Sequence, residues 1–341
     1  MLSCALRRIA ASLLLLLLVL TLTFFMIHLA PGDPALVLAG QQVDPEVVRN
    51  LRAVYGLDRP LPVQYLSWLK AVVLRFDWGT SLVFGKPAFR TLLDFLPATA
   101  LLTLAAMVVQ YGLGVPLGVA AARRRGARID GLIRVVSLVL YSMPVFWMGL
   151  MAILLFSYAL PLFPVGHLRS VNTHELGSTG RAADVLLHLA LPAVTLGLAL
   201  CGQTVRFVRN MMVEVLQEDY IRTARAKGLS ERRVVWIHAL RNVLVPIVQL
   251  FGLSLPGLLN GSLILEVVFS WPGLGRATFQ AILARDYPVI LAATAFTAIC
   301  VVAGNLLADI LHAAVDPRVR VDGGPGGRPG PRQELAEGRR A

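Results

Sequence analysis

Six histidines (His28, His167, His174, His188, His238 and His312) and three cysteines (Cys4, Cys201 and Cys300) are the side chains best suited to holding a metal. Their spacing argues against it, because no HExxH pair, CxxC pair or other close grouping occurs. Each lone histidine beside an apolar run reads as an interfacial side chain. The stretch Gly79-Thr-Ser-Leu-Val-Phe-Gly85-Lys86-Pro87 is similar to a phosphate-binding loop, but it has one residue too many between its glycines. It also places proline where a serine or threonine would hold magnesium. No nucleotide site, metal site or cofactor is therefore expected in this chain. An intramembrane hydrolase would need paired aspartates, a zinc-binding His/Glu set or a Ser/His pair at matching depth, and none is evident.

What remains is a charged stretch between two very apolar ones, Gln217 to Pro246. Residues 218–227 are good helix formers, with Glu218 and Asp219 at the start and Arg225 and Lys227 at the end, as the helix dipole favours. Gly228 can take the left-handed stop. Ser230 can cap a second helix with Glu231 in its first turn. The second helix, 231–242, is expected to run straight into the following apolar span. A push at Gly228 would then reach the membrane with little slack, which suggests mechanical coupling to another protein.

The elements that carry this stretch follow from composition. Of 341 residues, 56% are hydrophobic and only 15% charged, which places the chain in a membrane. The net charge of +12 is spread between apolar spans, as in basic flanks of membrane helices, and does not form a nucleic-acid patch. Uncharged runs cover 9–32, 95–122, 135–168, 185–205, 242–265 and 287–308. Each has the roughly 20 residues needed to cross the bilayer as a helix. The reading is an all-α integral membrane protein of six transmembrane helices. The run 135–168 is too long for one helix, and Pro161 and Pro164 are expected to end its span. Arg7 and Arg8 before a leucine-rich core resemble a signal peptide. The run is longer than a signal core and has no small-x-small site, so an uncleaved first helix (1–30) is expected.

Segment 123–134 carries five arginines against one aspartate, and 206–241 carries eight basic residues against four acidic. Segments 166–184 and 266–286 each carry two of either sign. The positive-inside rule puts the first pair and both termini in the cytoplasm. Region 31–97 is then extracytoplasmic, 98–316 is a five-helix core with a cytoplasmic loop 209–242, and 317–341 reads as a disordered cytoplasmic tail. The uncharged runs hold no Asp, Glu, Lys or Arg, the intramembrane charges that a secondary carrier would use. Their mild polar groups, among them Gln110, Thr195, Thr204 and Asn305, are suited to bonding neighbouring helices or lining a wet path. Gly112, Gly114 and Gly118 allow close helix approach, while Pro116, Pro144, Pro192, Pro246 and Pro256 interrupt backbone ladders.

Seven short stretches carry a resemblance over roughly residues 1–316: A-P-G-D-P at 30–34, Y-G-L-D-R-P-L-P at 55–62, D-W-G-T-S at 77–81, L-P-A-T at 96–99, Y-I-R-T-A-R-A-K-G-L at 220–229, E-V-V-F-S-W-P-G-L-G at 266–275 and R-D-Y-P at 285–288. On these the chain resembles the permease subunit of bacterial ATP-binding-cassette importers of the dipeptide/oligopeptide/nickel class. The resemblance implies a type I importer permease fold and a plasma-membrane location. It also implies a partnership with a second related permease, two ATPase subunits and an extracytoplasmic substrate-binding protein. Peptide is the substrate it favours, and nickel, glutathione and some sugar systems share the permease type.

The family's "EAA" motif in the cytoplasmic loop is matched by Arg222, Thr223 and Ala224, with Gly228 at its glycine and Pro246 at its downstream proline. The leading glutamate is missing here, so no salt bridge made by it transfers. The resemblance implies that this helix docks on an ATPase subunit. Glu218, Tyr220, Ile221, Arg222, Ala224, Arg225, Gly228 and Pro246 are the expected coupling residues. Tyr220, Ile221, Ala224 and Gly228 are expected to make the contact, with Arg222 and Arg225 meeting acidic groups. Trp271, Pro272, Gly273 and Gly275 are expected on a loop facing the receptor or the substrate exit.

Overall fold

In hydrocarbon every backbone N–H and C=O must find a partner within the protein, and for a single apolar segment that means a helix. The computed structural model describes residues 2–32 and 45–315, and the described residues are helical almost throughout. The expected tail 317–341 and Asp33 and Pro34 of the 30–34 motif lie outside them.

The long helices are α1 (Leu2–Leu29), α4 (Ala88–Arg123), α7 (Ser178–Val215), α10 (Leu240–Val268) and α12 (Tyr287–Val315). Shorter ones lie between them: α2 (Pro45–Tyr55), α3 (Leu61–Arg75), α5 (Arg128–Ser142), α6 (Val145–Ile153), α8 (Asp219–Ala226), α9 (Glu231–Arg233) and α11 (Leu274–Leu283). Five helices are long and apolar enough to cross a membrane, and the pair α5–α6 makes a sixth if taken as one span.

That pair shows where the prolines of the 135–168 run act. The 135–168 run breaks at Met143–Pro144, where the two helices meet at 97°. A residue before proline is pushed out of the α region, and Met143 is extended with ψ 134°. α6 then continues as a π-helical turn, Leu154–Ala159, and stops two residues before Pro161. Pro97, Pro116 and Pro192 by contrast stay inside α4 and α7.

α4 and α7 form the central pair, and glycine lets them touch. A Cβ on Gly114 would lie 2.7 Å from the Thr204 methyl, and one on Gly118 would lie 2.7 Å from Val208 Cβ. Gly197 of α7 returns the relation, meeting Val109 and the Ala106 carbonyl. Gly112, expected to share this role, has open space around it. Gln110 Nε2 donates to Thr204 Oγ1 at 3.0 Å across the same seam, one of the inter-helix bonds the polar groups suggested. Gly202 packs α7 against the Ser137 carbonyl of α5.

Apolar side chains gather in separate clusters along this pair. One, at the end where α4 and α7 both finish, holds Val119, Ala122, Val208 and Met212. Another, where α4 begins, holds Trp78, Ala88, Leu92, Leu274 and Val289. Between them Leu102, Ala106, Leu196, Leu265 and Trp271 fill the middle.

Candidate coupling site and the knots at the opposite end

At the end where α4 and α7 finish, the chain turns into α8. Asp219 stands in its first turn and Arg225 in its last, as the dipole favours. The helix stops by a Schellman closure: Leu229 N–H reaches the Ala224 carbonyl and Gly228 N–H the Arg225 carbonyl. Gly228 adopts φ +76°, which costs glycine little and other residues more. Ser230 occupies the cap position of α9, as expected, but its hydroxyl makes no capping bond. Glu231 is instead held by Arg225, whose Nη2 lies 2.8 Å from Oε1. This pairing lowers the Glu231 pKa from its ordinary value, chiefly through the Arg225 hydrogen bond, and raises that of Arg225.

The run from α9 into α10 is continuous but not uniform, because Val234–Ala239 forms a π-helical turn. In that turn Val234, Val235 and Ala239 face inward while Trp236 and Ile237 are exposed.

The burial pattern of α8 corrects part of the expected contact surface. Ile221 is fully buried and Ala224 nearly so, both against Val119, Val208, Met212 and Val234 of the same chain. They face inward because an eight-residue amphipathic helix needs an apolar floor, and the ends of α4 and α7 supply it. Ile221 and Ala224 therefore hold α8 down and cannot themselves meet a partner. Tyr220, Glu218, Arg222, Arg225 and Gly228 are on the exposed side. Tyr220 Oη accepts a bond from Asn242 Nδ2, which ties α8 to α10. Arg222 pairs with Asp219 at 3.2 Å and Arg225 with Glu231, so both arginines have acidic partners in their own chain. Pro246 is half-buried in α10 beside buried Ile247 of the same cluster.

Two residues the sequence reading passed over brace this end from the side. Asp130, at the start of α5, is buried and accepts two bonds from Arg209 of α7, at 2.7 and 2.9 Å. Three residues earlier on α7, the Arg206 guanidinium lies 4.3 Å from the Tyr141 ring centre.

At the opposite end lie the residues expected on a loop facing the receptor or the substrate exit. Trp271, Gly273 and Gly275 are buried and Pro272 is half-buried. The Trp271 indole donates to the Ala98 carbonyl at 2.9 Å, while Gly273 and Gly275 are crowded by the Glu266 carboxylate. Apolar bulk with one satisfied N–H makes this tryptophan a packing anchor and not a surface contact.

The stretches that are separate in sequence meet here in pairs. Residues 96–99 join 266–275 through Thr99 and Glu266. Residues 77–81 join 285–288 through Asp286, which is buried and accepts from Ser81 Oγ and, at 3.1 Å, from Val83 N. The other Asp286 oxygen faces the Val289 amide, so this residue also caps α12. Among the described residues no group of three His, Cys, Asp or Glu side chains could hold a metal.

A helical bundle that fits a membrane, with a charged helix seated on the ends of two spans, has the build of a membrane transport component. Residues 114–321 match the family described as "Binding-protein-dependent transport system inner membrane component", and residues 1–103 match its N-terminal companion. The chain belongs to this family and is a multi-pass protein of the cell membrane. It is 40% identical over 314 residues to the oligopeptide transport system permease protein AppB of Bacillus subtilis, covering 92% of this chain and 98% of that one. It is 39% identical to the dipeptide transport system permease protein DppB of Escherichia coli K12 (88% of this chain, 93% of that one). Against the di/tripeptide permease DppB of Pseudomonas aeruginosa the identity is 41%, with the same coverage of 88% and 93%.

Proposed function

We propose that this chain is a permease subunit of an ATP-driven, binding-protein-dependent importer of short peptides, and that it forms half of the translocation pathway. The observation that carries the reading is α8: its apolar face is used up on the ends of α4 and α7, while its polar face is turned outward. Six spans, cytoplasmic termini, an extracytoplasmic 31–97 region and a cytoplasmic 209–242 loop complete the reading. ATP hydrolysis belongs to two separate ATPase subunits, and a second related permease and an extracytoplasmic receptor complete the assembly. Tyr220, Arg222, Arg225 and Gly228 offer the outward contact to an ATPase. Ile221 and Ala224 seat the helix, and Pro246 belongs to the span that receives its motion. The peptide assignment rests on the relatives named above.

Replacing Gly228 by tryptophan puts bulk at an exposed position where the surrounding space is open but the backbone favours glycine. Uptake of a labelled dipeptide and substrate-stimulated ATP hydrolysis are expected to fall together, while the amount of assembled complex stays near native. Unchanged uptake and hydrolysis in Gly228→Trp overturn the coupling role. A cysteine at exposed Ser230 is expected to react with impermeant thiol reagents only in inverted vesicles. Labelling of that cysteine in intact cells overturns the topology.

A further inference from the structure

Glu266 stands near the end of α10 farthest from α8 and is fully buried. Its two oxygens have different tasks. Oε1 accepts the Thr99 hydroxyl at 2.8 Å, and Oε2 accepts the Arg276 amide at 2.9 Å. Thr99 Oγ1 in turn accepts the Leu274 amide at 2.7 Å. Leu274 and Arg276 lie in the first turn of α11, where helix geometry leaves amides without intrahelical partners. Those amides are taken by a carboxylate from α10 and a hydroxyl from α4, since Gly273 at the cap position has no side chain to offer. The glycines make room for this: a Cβ on Gly273 would fall 2.4 Å from the Glu266 carboxyl carbon. One on Gly275 would fall 2.6 Å from Leu263 Cα.

We propose that Glu266 is a positioning residue for substrate passage, fixing the short helix α11 against α4 and α10 at the end of the permease opposite the ATPase contact. The proposal rests on the importer reading above and extends it along one helix. α8 and α9 feed through the 234–239 turn into α10, and Glu266 lies two residues before α10 ends. Motion entering α10 at the coupling end therefore leaves it at Glu266, and α11 is the element attached there. The far side of α11 is free to respond, with Ile282 and Leu283 exposed. A carboxylate suits the task because both oxygens accept. An amide has a single acceptor, so Glu266→Gln turns an NH2 group towards either the Thr99 hydroxyl or the Arg276 amide.

The test uses the complete importer in cells, with radiolabelled dialanine as the transported probe. Position is read from an impermeant maleimide reacting with Leu283→Cys, after Cys4, Cys201 and Cys300 are replaced by alanine. Loss of one hydrogen bond to a charged group predicts that Glu266→Gln and Thr99→Val lower Vmax by about tenfold, with KM unchanged. Both variants are also expected to change the maleimide rate at position 283, and Thr99→Ser should restore both readouts. Native Vmax in either variant overturns the proposal, and so does a lost Vmax with an unchanged labelling rate. If Glu266→Gln fails to accumulate, the comparison of Thr99→Val with Thr99→Ser decides. If the native complex takes up no dialanine, the peptide reading fails, while the maleimide comparison still judges Glu266.

Discussion

Asp130 and Arg209, 79 positions apart, close a two-pronged ion pair that locks the start of α5 to α7. Asp130 is 1% exposed and also accepts the Gly126 amide at 3.0 Å, so three donors converge on one carboxylate. Removing one partner of a buried pair leaves the other charge uncompensated, which costs about 3 kcal/mol or more. Asp130→Asn and Arg209→Met are each expected to lower the melting temperature of the detergent-solubilised protein by several degrees. The double variant should lose less than the sum of the two. Additive losses in such a double-mutant cycle show that the pair is not coupled.

Acid tests the same pair without mutation. Asp130 lies on the charged stretch that precedes the apolar run, and the Arg209 hydrogen bonds, helped by Gly126 and opposed by burial, bring its pKa down to about 2. Its ordinary value is 3.8, so the folded form binds the proton less readily than the unfolded one. The stabilisation is therefore complete above the unfolded value and is lost as pH falls from there through about 2. Stability of the native protein is expected to drop across this window more steeply than that of Asp130→Asn. Parallel acid curves for the two proteins contradict the assignment.

The helices were legible because charge-free length is a strong signal, and α8 was legible because Gly228 and its flanking charges mark a stop. Inward and outward faces were harder to read. Ile221 and Ala224 are apolar residues in a charged stretch, and a sequence does not say whether a floor for them exists until α4 and α7 are seen to end beneath. The burial of Asp130, Glu266 and Asp286 was hidden for a related reason. Each sits just outside an uncharged run, where a carboxylate normally meets water. Each is buried because donors up to 205 positions away converge on it.

The glycine seam between α4 and α7 makes a separate forecast. At Gly118 a methyl group would meet Val208 Cβ at 2.7 Å and the Val205 carbonyl oxygen at 2.9 Å. A backbone oxygen cannot turn aside, so the helices must separate, at a cost of about 1–3 kcal/mol. Gly118→Ala is expected to destabilise the protein in a detergent melt, whereas Gly112→Ala, with open space around it, should leave stability unchanged or slightly higher. Equal effects at the two positions would falsify the close contact.

The two faces of α8 separate in the same spirit. Ile221→Ala removes a fully buried side chain from the cluster that seats the helix, at about 2–5 kcal/mol for a large-to-small core change. An eight-residue helix has little stability of its own, so its docked state carries that loss. Trypsin is then expected to cut at Arg222, Arg225 and Lys227 faster than in the native chain in inverted vesicles. Tyr220→Ala gives up an exposed ring and its bond with Asn242, and the apolar floor remains. Its trypsin rate should stay close to native while uptake falls, because the outward face has lost a large contact group. Rapid proteolysis in Tyr220→Ala, or native proteolysis in Ile221→Ala, reverses the assignment of the two faces.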